Sequence, residues 1–306
     1  MNTRFPLFIV FCIICMLLCS CIASSEGELP DTGASDTEVS DLHTESSKVF
    51  DIKLDINRGI FDLSSCLPGF APTFGCNYFT YKFKDLHLSL FVYDKTRPIE
   101  DIQPGIDSFD RRTEYGIDYY FRSDTIFWDG IDEETGEETG GETTTAYVVF
   151  YIDDYIVTLT GSTENEDVSA VKLQLALDLL SDKPVDGLER LGGGLSARLY
   201  NGILECNISL IPKDNAEYQH IFNASDAIIK QEGSIRYLAS IPERSLDDPN
   251  ARFVVCDTDK GALLVSCGVP YSERNSVPDE ALDFVNFSLA QNIAEGLGVV
   301  ITSISK

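Results

Sequence analysis

Apolar and polar residues alternate with a period of two along Asp51–Ile56, Leu86–Val92 and Leu204–Leu210. Such alternation predicts β-strands that bury one face. A longer compound pattern occurs twice. Ala146–Tyr151, a turn at Ile152-Asp153-Asp154 and Tyr155–Gly161 predict one hairpin; Ala251–Cys256, a turn over Asp257–Gly261 and Ala262–Gly268 predict another. Asp and Gly supply the turn conformations in both. Each hairpin is followed by a Ser or Thr with an acid three residues on, the signature of a helix start: Thr163 with Glu166, then Ser276 with Asp279. Val168, Val171, Leu175 and Leu179 share one face of the first predicted helix; Leu282, Val285, Leu289 and Ile293 share one of the second. The run Val299–Ile304 predicts a terminal strand.

These patterns predict an α+β fold of two tandem units, 49–183 and 188–306. Each unit is a mostly antiparallel sheet whose last hairpin leads into an amphipathic helix packed on the sheet. Upstream the repeat is looser: Leu86–Val92 corresponds to Leu204–Ile211 and Tyr119–Trp128 to Ser234–Ile241. The plain alternative is a common hairpin–helix motif that happens to occur twice. Whether the units are separate domains or share a sheet is left open by the pattern.

The N-terminus has a different texture. Phe5–Leu18 is an apolar run of 14 residues behind Arg4. A membrane-spanning helix needs about 20 such residues, whereas the apolar part of a secretory signal needs roughly 7–15. The run ends in Leu18-Cys19-Ser20-Cys21. This segment resembles the signal of bacterial lipoproteins, with Leu18 as the aliphatic residue and Ser20 as the small residue before the modified cysteine. The resemblance implies removal of residues 1–20, lipidation of Cys21 and attachment by more than one acyl chain. At about 0.8 kcal/mol per buried CH₂, two chains hold a protein durably on a bilayer. Two alternatives stay open: cleavage after Cys21-Ile22-Ala23, which would release a soluble protein, and a retained N-terminal helix. All three place the body outside the cytoplasm.

Residues 22–47 hold seven acids, six Ser, three Thr and no Lys or Arg. Burial within such a segment cannot offset the entropy of ordering it. With Cys21 and Lys48 it is expected to form an acidic tether over 21–48. A flexible segment of this length spans roughly 25–30 Å end to end.

Composition narrows the function classes. The net charge is −27 over 306 residues. An acidic surface repels phosphate backbones, which excludes nucleic acid as the expected partner. The three His leave little for imidazole chemistry. No metal or other cofactor is expected.

Beyond the leader and Cys21 the chain has five cysteines: Cys66, Cys76, Cys206, Cys256 and Cys267. Cys66 and Cys76 flank a Gly- and Pro-rich stretch and are the candidate disulfide, with two separate buried thiols as the alternative. Cys206 alternates with Leu204 and Ile208 and reads as a core thiol. Cys256 and Cys267 are expected on opposite faces of their hairpin. Asp129–Glu142 is acidic but lacks the order of a calcium loop, so a hairpin connection is expected there. Leu191-Gly192-Gly193-Gly194-Leu195 lacks the Gly-Lys-Ser/Thr ending of a phosphate loop and reads as a turn. No residue stands out as catalytic. The expectation is a membrane-anchored extracytoplasmic lipoprotein that binds a partner or serves the envelope; the alternative is an envelope hydrolase with a carboxylate site.

Overall fold

Valine, isoleucine, leucine and aromatic residues at alternate positions leave the backbone extended, and the strands they form pair into one sheet. The computed structural model describes residues 52–67, 69–131, 138–164, 167–201, 205–223, 228–239, 253–268 and 279–304. The leader, Cys21, the tether, Leu204 and Ser276 lie outside them, as do residues 132–137 of the acidic stretch.

In chain order the elements are β1 (Ala71–Phe83), β2 (Leu86–Asp94), α1 (Ile99–Ile102), β3 (Asp110–Glu114), β4 (Ile117–Ile131), β5 (Glu138–Ile152), β6 (Tyr155–Thr163) and α2 (Leu173–Leu180). There follow β7 (Leu188–Tyr200), β8 (Glu205–Pro212), α3 (Ala216–Asn223), β9 (Ile228–Glu232), β10 (Ile235–Ala239), β11 (Phe253–Thr258), β12 (Gly261–Gly268), α4 (Asp279–Leu297) and β13 (Ile301–Thr302). The protein is thus mostly antiparallel sheet with few helices.

All strands belong to one sheet in the order β3-β4-β5-β6-β2-β1-β7-β8-β12-β11-β10-β9, with β13 added on β11. β1 and β7 pair antiparallel at its centre, from Ala71 opposite Tyr200 to Phe83 opposite Leu188. Outward from that pair, the first half runs β1-β2-β6-β5-β4-β3 and the second β7-β8-β12-β11-β10-β9. Both halves therefore lay out their strands in the same sequence.

Side chains of successive strand residues point to opposite faces, and both faces are covered. One face carries two clusters. The first includes Leu90, Phe150, Val157, Leu159 and Leu177 under α2; the second includes Leu199, Ile208, Leu263, Val265, Ala290 and Ile293 under α4. On the opposite face, Phe91, Tyr93, Ile99 and Ile156 gather around α1, and Ile211, Ile221, Val255 and Leu264 around α3.

Several expected elements differ. Asp51–Ile56 is not a strand over its described residues, although Ile52, Leu54 and Ile56 do pack on the α2 cluster. The segment crosses the face of the sheet, where no neighbouring strand offers a ladder of hydrogen bonds; the Lys53 N–H donates to the Leu180 carbonyl at 2.8 Å instead. Thr163 ends β6, opposite Thr144, and does not cap a helix. The helix starts ten residues later, at Leu173. In α4 the buried residues are Leu282, Asp283, Asn286, Phe287, Ala290, Ile293, Ala294 and Leu297, while Val285 is exposed. The face is rotated from the expected one because the helix seats Phe287 flat on Tyr237, ring centres 4.3 Å apart. The terminal strand shortens to two residues.

The Gly192-Gly193-Gly194 run is not a turn: it lies inside β7, opposite Tyr78–Thr80 of β1. Crowding is the reason. A β-carbon on Gly193 would stand 2.8 Å from the Tyr78 carbonyl oxygen, and one on Gly194 would stand 2.5 Å from the Leu210 carbonyl oxygen and 2.9 Å from Tyr78 Oη. Close backbone approach, not turn conformation, is what selects glycine here.

Candidate functional site

The expected site residues fall in three places. Cys21 lies outside the described residues. Cys66 follows a 3-10 turn at Leu63–Ser65, and its Sγ lies against Gly296 of α4. Cys76 belongs to β1 and points to the other face, into the cluster with Phe91 and Tyr93. Both thiols are free in the structure, one beside α4 and the other on the opposite face of the sheet. The sequence between them turns directly into a sheet strand, whose alternation sends Cys76 away from Cys66. Burial pushes the Cys76 thiol well above its ordinary value, which keeps it protonated.

Cys256 and Cys267 also depart from expectation. Cys256 stands opposite Leu263, and Leu263, Val265 and Cys267 share a face, so both cysteines face α4. They are kept apart by distance along the strands: four residues correspond to about 13 Å. Burial pushes Cys256 up to about 12.

The cysteine that Cys267 does meet is Cys206. The two stand directly opposite each other across β8 and β12. Their exposures are 0% and 2%, and their thiols are hydrogen-bonded to each other. The Cys267 N–H donates to Asn286 Oδ1 of α4 at 2.8 Å, and Asn286 is itself fully buried. Cys206 is held protonated, first because its thiol donates to Cys267 and then by burial. Cys267 is held below the usual thiol value by accepting that bond, with burial opposing. Two strands 61 residues apart in sequence place these sulfurs together, and only the register of a non-local pair reveals it.

One turn toward the start of α4, Asp283 is 1% exposed and forms an ion pair with Lys230 of the edge strand β9. Tyr237 of β10 lies beside them; burial first, then the charges of Glu232 and Asp283, raises its phenol. On the opposite face, the Tyr218 hydroxyl of α3 donates to Asp257 Oδ1 at 2.8 Å and the Thr302 hydroxyl to Asp257 Oδ2 at 3.0 Å. Lys213 stands 3.8 Å from the same carboxylate. These carboxylates are engaged as links between elements. No group of three His, Cys, Asp or Glu among the described residues could hold a metal ion.

Strands enter the acidic stretch from both sides. β4 and β5 pair as far as Ile131 opposite Glu138, well past Thr144, where β6 ends. The two strands therefore continue as an arm beyond their neighbours. Ile126 and Phe127 on that arm are 61% and 76% exposed.

Comparison with protein-family models, curated proteins and solved structures finds no match to this chain.

Proposed function

We propose that the protein is an extracytoplasmic lipoprotein, held on a membrane through lipid on Cys21, whose sheet body binds a partner or serves the cell envelope without catalysis. The single observation that carries the reading is the junction at Leu18-Cys19-Ser20-Cys21: an apolar run too short to span a bilayer gives way there to an acidic segment without a basic residue. Among the described residues no helix is long and apolar enough to cross a membrane.

The body reads as two tandem units, 49–183 and 188–306, fused through the β1–β7 pair. Support comes from the shared strand order of the halves and from the helices α2 and α4 that follow β6 and β12. Binding is favoured over hydrolysis by the arm, which presents the apolar side chains of Ile126 and Phe127 to solvent.

The test is a Cys21→Ala variant. Wild-type protein is expected in the membrane fraction with an intact mass equal to residues 21–306 plus acyl chains. The variant is expected to leave that fraction or to remain unprocessed. A mature N-terminus at Ser24, or membrane retention and normal processing in the variant, would overturn the anchor.

A further inference from the structure

The five described cysteines are all free in the structure, yet one pair is placed as a cross-link requires. Residues directly opposite in an antiparallel ladder have Cα atoms about 4.5–5.5 Å apart. A disulfide accepts about 4.4–6.8 Å. Cys206 and Cys267 occupy such positions. Because the Cys267 N–H is bonded to Asn286 rather than to β8, the pair is of the kind in which side chains approach most closely. Each remaining cysteine is excluded: Cys76 points to the other face, Cys66 lies against α4 at Gly296, and Cys256 is four residues along the ladder from Cys267.

We propose that Cys206 and Cys267 are joined by a disulfide in the mature protein. The proposal rests on the extracytoplasmic reading above, since disulfides persist in oxidising compartments. The oxidant is a disulfide donor, either a low-molecular-weight disulfide or an oxidoreductase. The Cys267 thiolate attacks one donor sulfur, forming a mixed disulfide and releasing one donor thiol. Cys206 then attacks Cys267 Sγ, forming the Sγ–Sγ bond and releasing the second donor thiol. The two protons and two electrons lost by the cysteines are carried by the donor. Both sulfurs are buried once α4 covers β12, so the exchange belongs to folding, before the helix docks. The bond would tie β8 to β12 across 61 residues of chain that include α3 and the short strands β9 and β10.

The test uses the detergent-extracted full chain, unfolded under reducing conditions, refolded in mixed reduced and oxidised glutathione, alkylated and digested. The expected result is one cross-linked pair of peptides carrying Cys206 and Cys267, with Cys66, Cys76 and Cys256 alkylated, and an intact mass lower by two hydrogens. Cys206→Ala and Cys267→Ala are each expected to abolish the cross-link without forming another. Full alkylation of Cys206 and Cys267, or either one joined to a different cysteine, would overturn the proposal. A pair that oxidises on refolding but is found reduced in protein acid-quenched from cells would also overturn it, and would count against extracytoplasmic placement. Failure of the Cys21→Ala test alone leaves the refolding result intact, so the two readings are separable.

Discussion

Asn77 Oδ1 accepts the backbone N–H of Asn57 at 2.8 Å, and Asn77 Nδ2 donates back to the Asn57 carbonyl at 3.4 Å. Asn77 lies in β1 opposite Leu195 of β7, at the seam of the two halves. Asn57 also donates from Nδ2 to the Leu297 carbonyl at the end of α4. The segment 52–67 therefore crosses from the α2 cluster to the α4 cluster through one buried amide. Asn77→Leu keeps the branched shape of the side chain and removes the acceptor. Leaving a buried N–H unmet costs about 1–3 kcal/mol. A urea midpoint unchanged from wild type would show that this junction is dispensable.

The glycine run in β7 makes a graded prediction. Gly193→Ala and Gly194→Ala press a methyl group onto backbone oxygens, whereas the atoms nearest a methyl group at Gly192 belong to the Asn215 side chain rather than to backbone. The first two are expected to destabilise by about 1–3 kcal/mol and Gly192→Ala by less. Equal midpoints for all three in chemical denaturation would contradict the packing account.

Lys230→Met strips the cation from Asp283 under α4. Removing one partner of a buried pair costs about 3–5 kcal/mol, and the partial exposure of Lys230 puts this case at the low end. Asp283→Leu together with Lys230→Met is expected to recover most of the loss, because an apolar pair needs no desolvation of charge. A double variant as unstable as Lys230→Met alone would refute that.

Tyr218 sets an alkaline limit. Burial, then its bond to Asp257 and that carboxylate's charge, lifts the phenol from 10.0 to about 12. A raised phenol favours folding fully below pH 10, and that contribution is lost as pH rises through 10 toward 12, where the unfolded chain ionises first. Tyr218→Phe should be less stable near neutrality and should lose less on going from pH 9 to pH 11. Parallel stability curves for the two proteins over that range would count against the link.

The arm of β4 and β5 should be silent in stability. Ile126→Ser with Phe127→Ser is expected to stay within about 0.5 kcal/mol of wild type, since both side chains are already in water. A large loss of stability would mean that the arm packs on something within the chain.

Strand positions such as Leu86–Val92 and the hairpins β5–β6 and β11–β12 were legible because their alternation is local. Helix starts were less so: Thr163 carries a capping signature, yet its backbone is claimed by Thr144 of β5. The rotated face of α4 and the strand role of Gly192–Gly194 depend on neighbours far away in sequence. The same holds for Cys206 and Cys267. Each alternates correctly in its own strand, and nothing local says that the two strands are neighbours in that register.

By itself the sequence determined that the chain begins with a short oily segment ending at Cys21, that an acidic stretch without basic residues follows, and that the remainder builds antiparallel sheet. Those properties come from composition and from periods of a few residues. Only the tertiary structure decided that β1 and β7 close the two halves into one sheet, that Cys66 and Cys76 face different ways, and that Cys206 meets Cys267. The reason is that register between distant strands is set by which whole faces can be buried together, a balance no short stretch of chain contains.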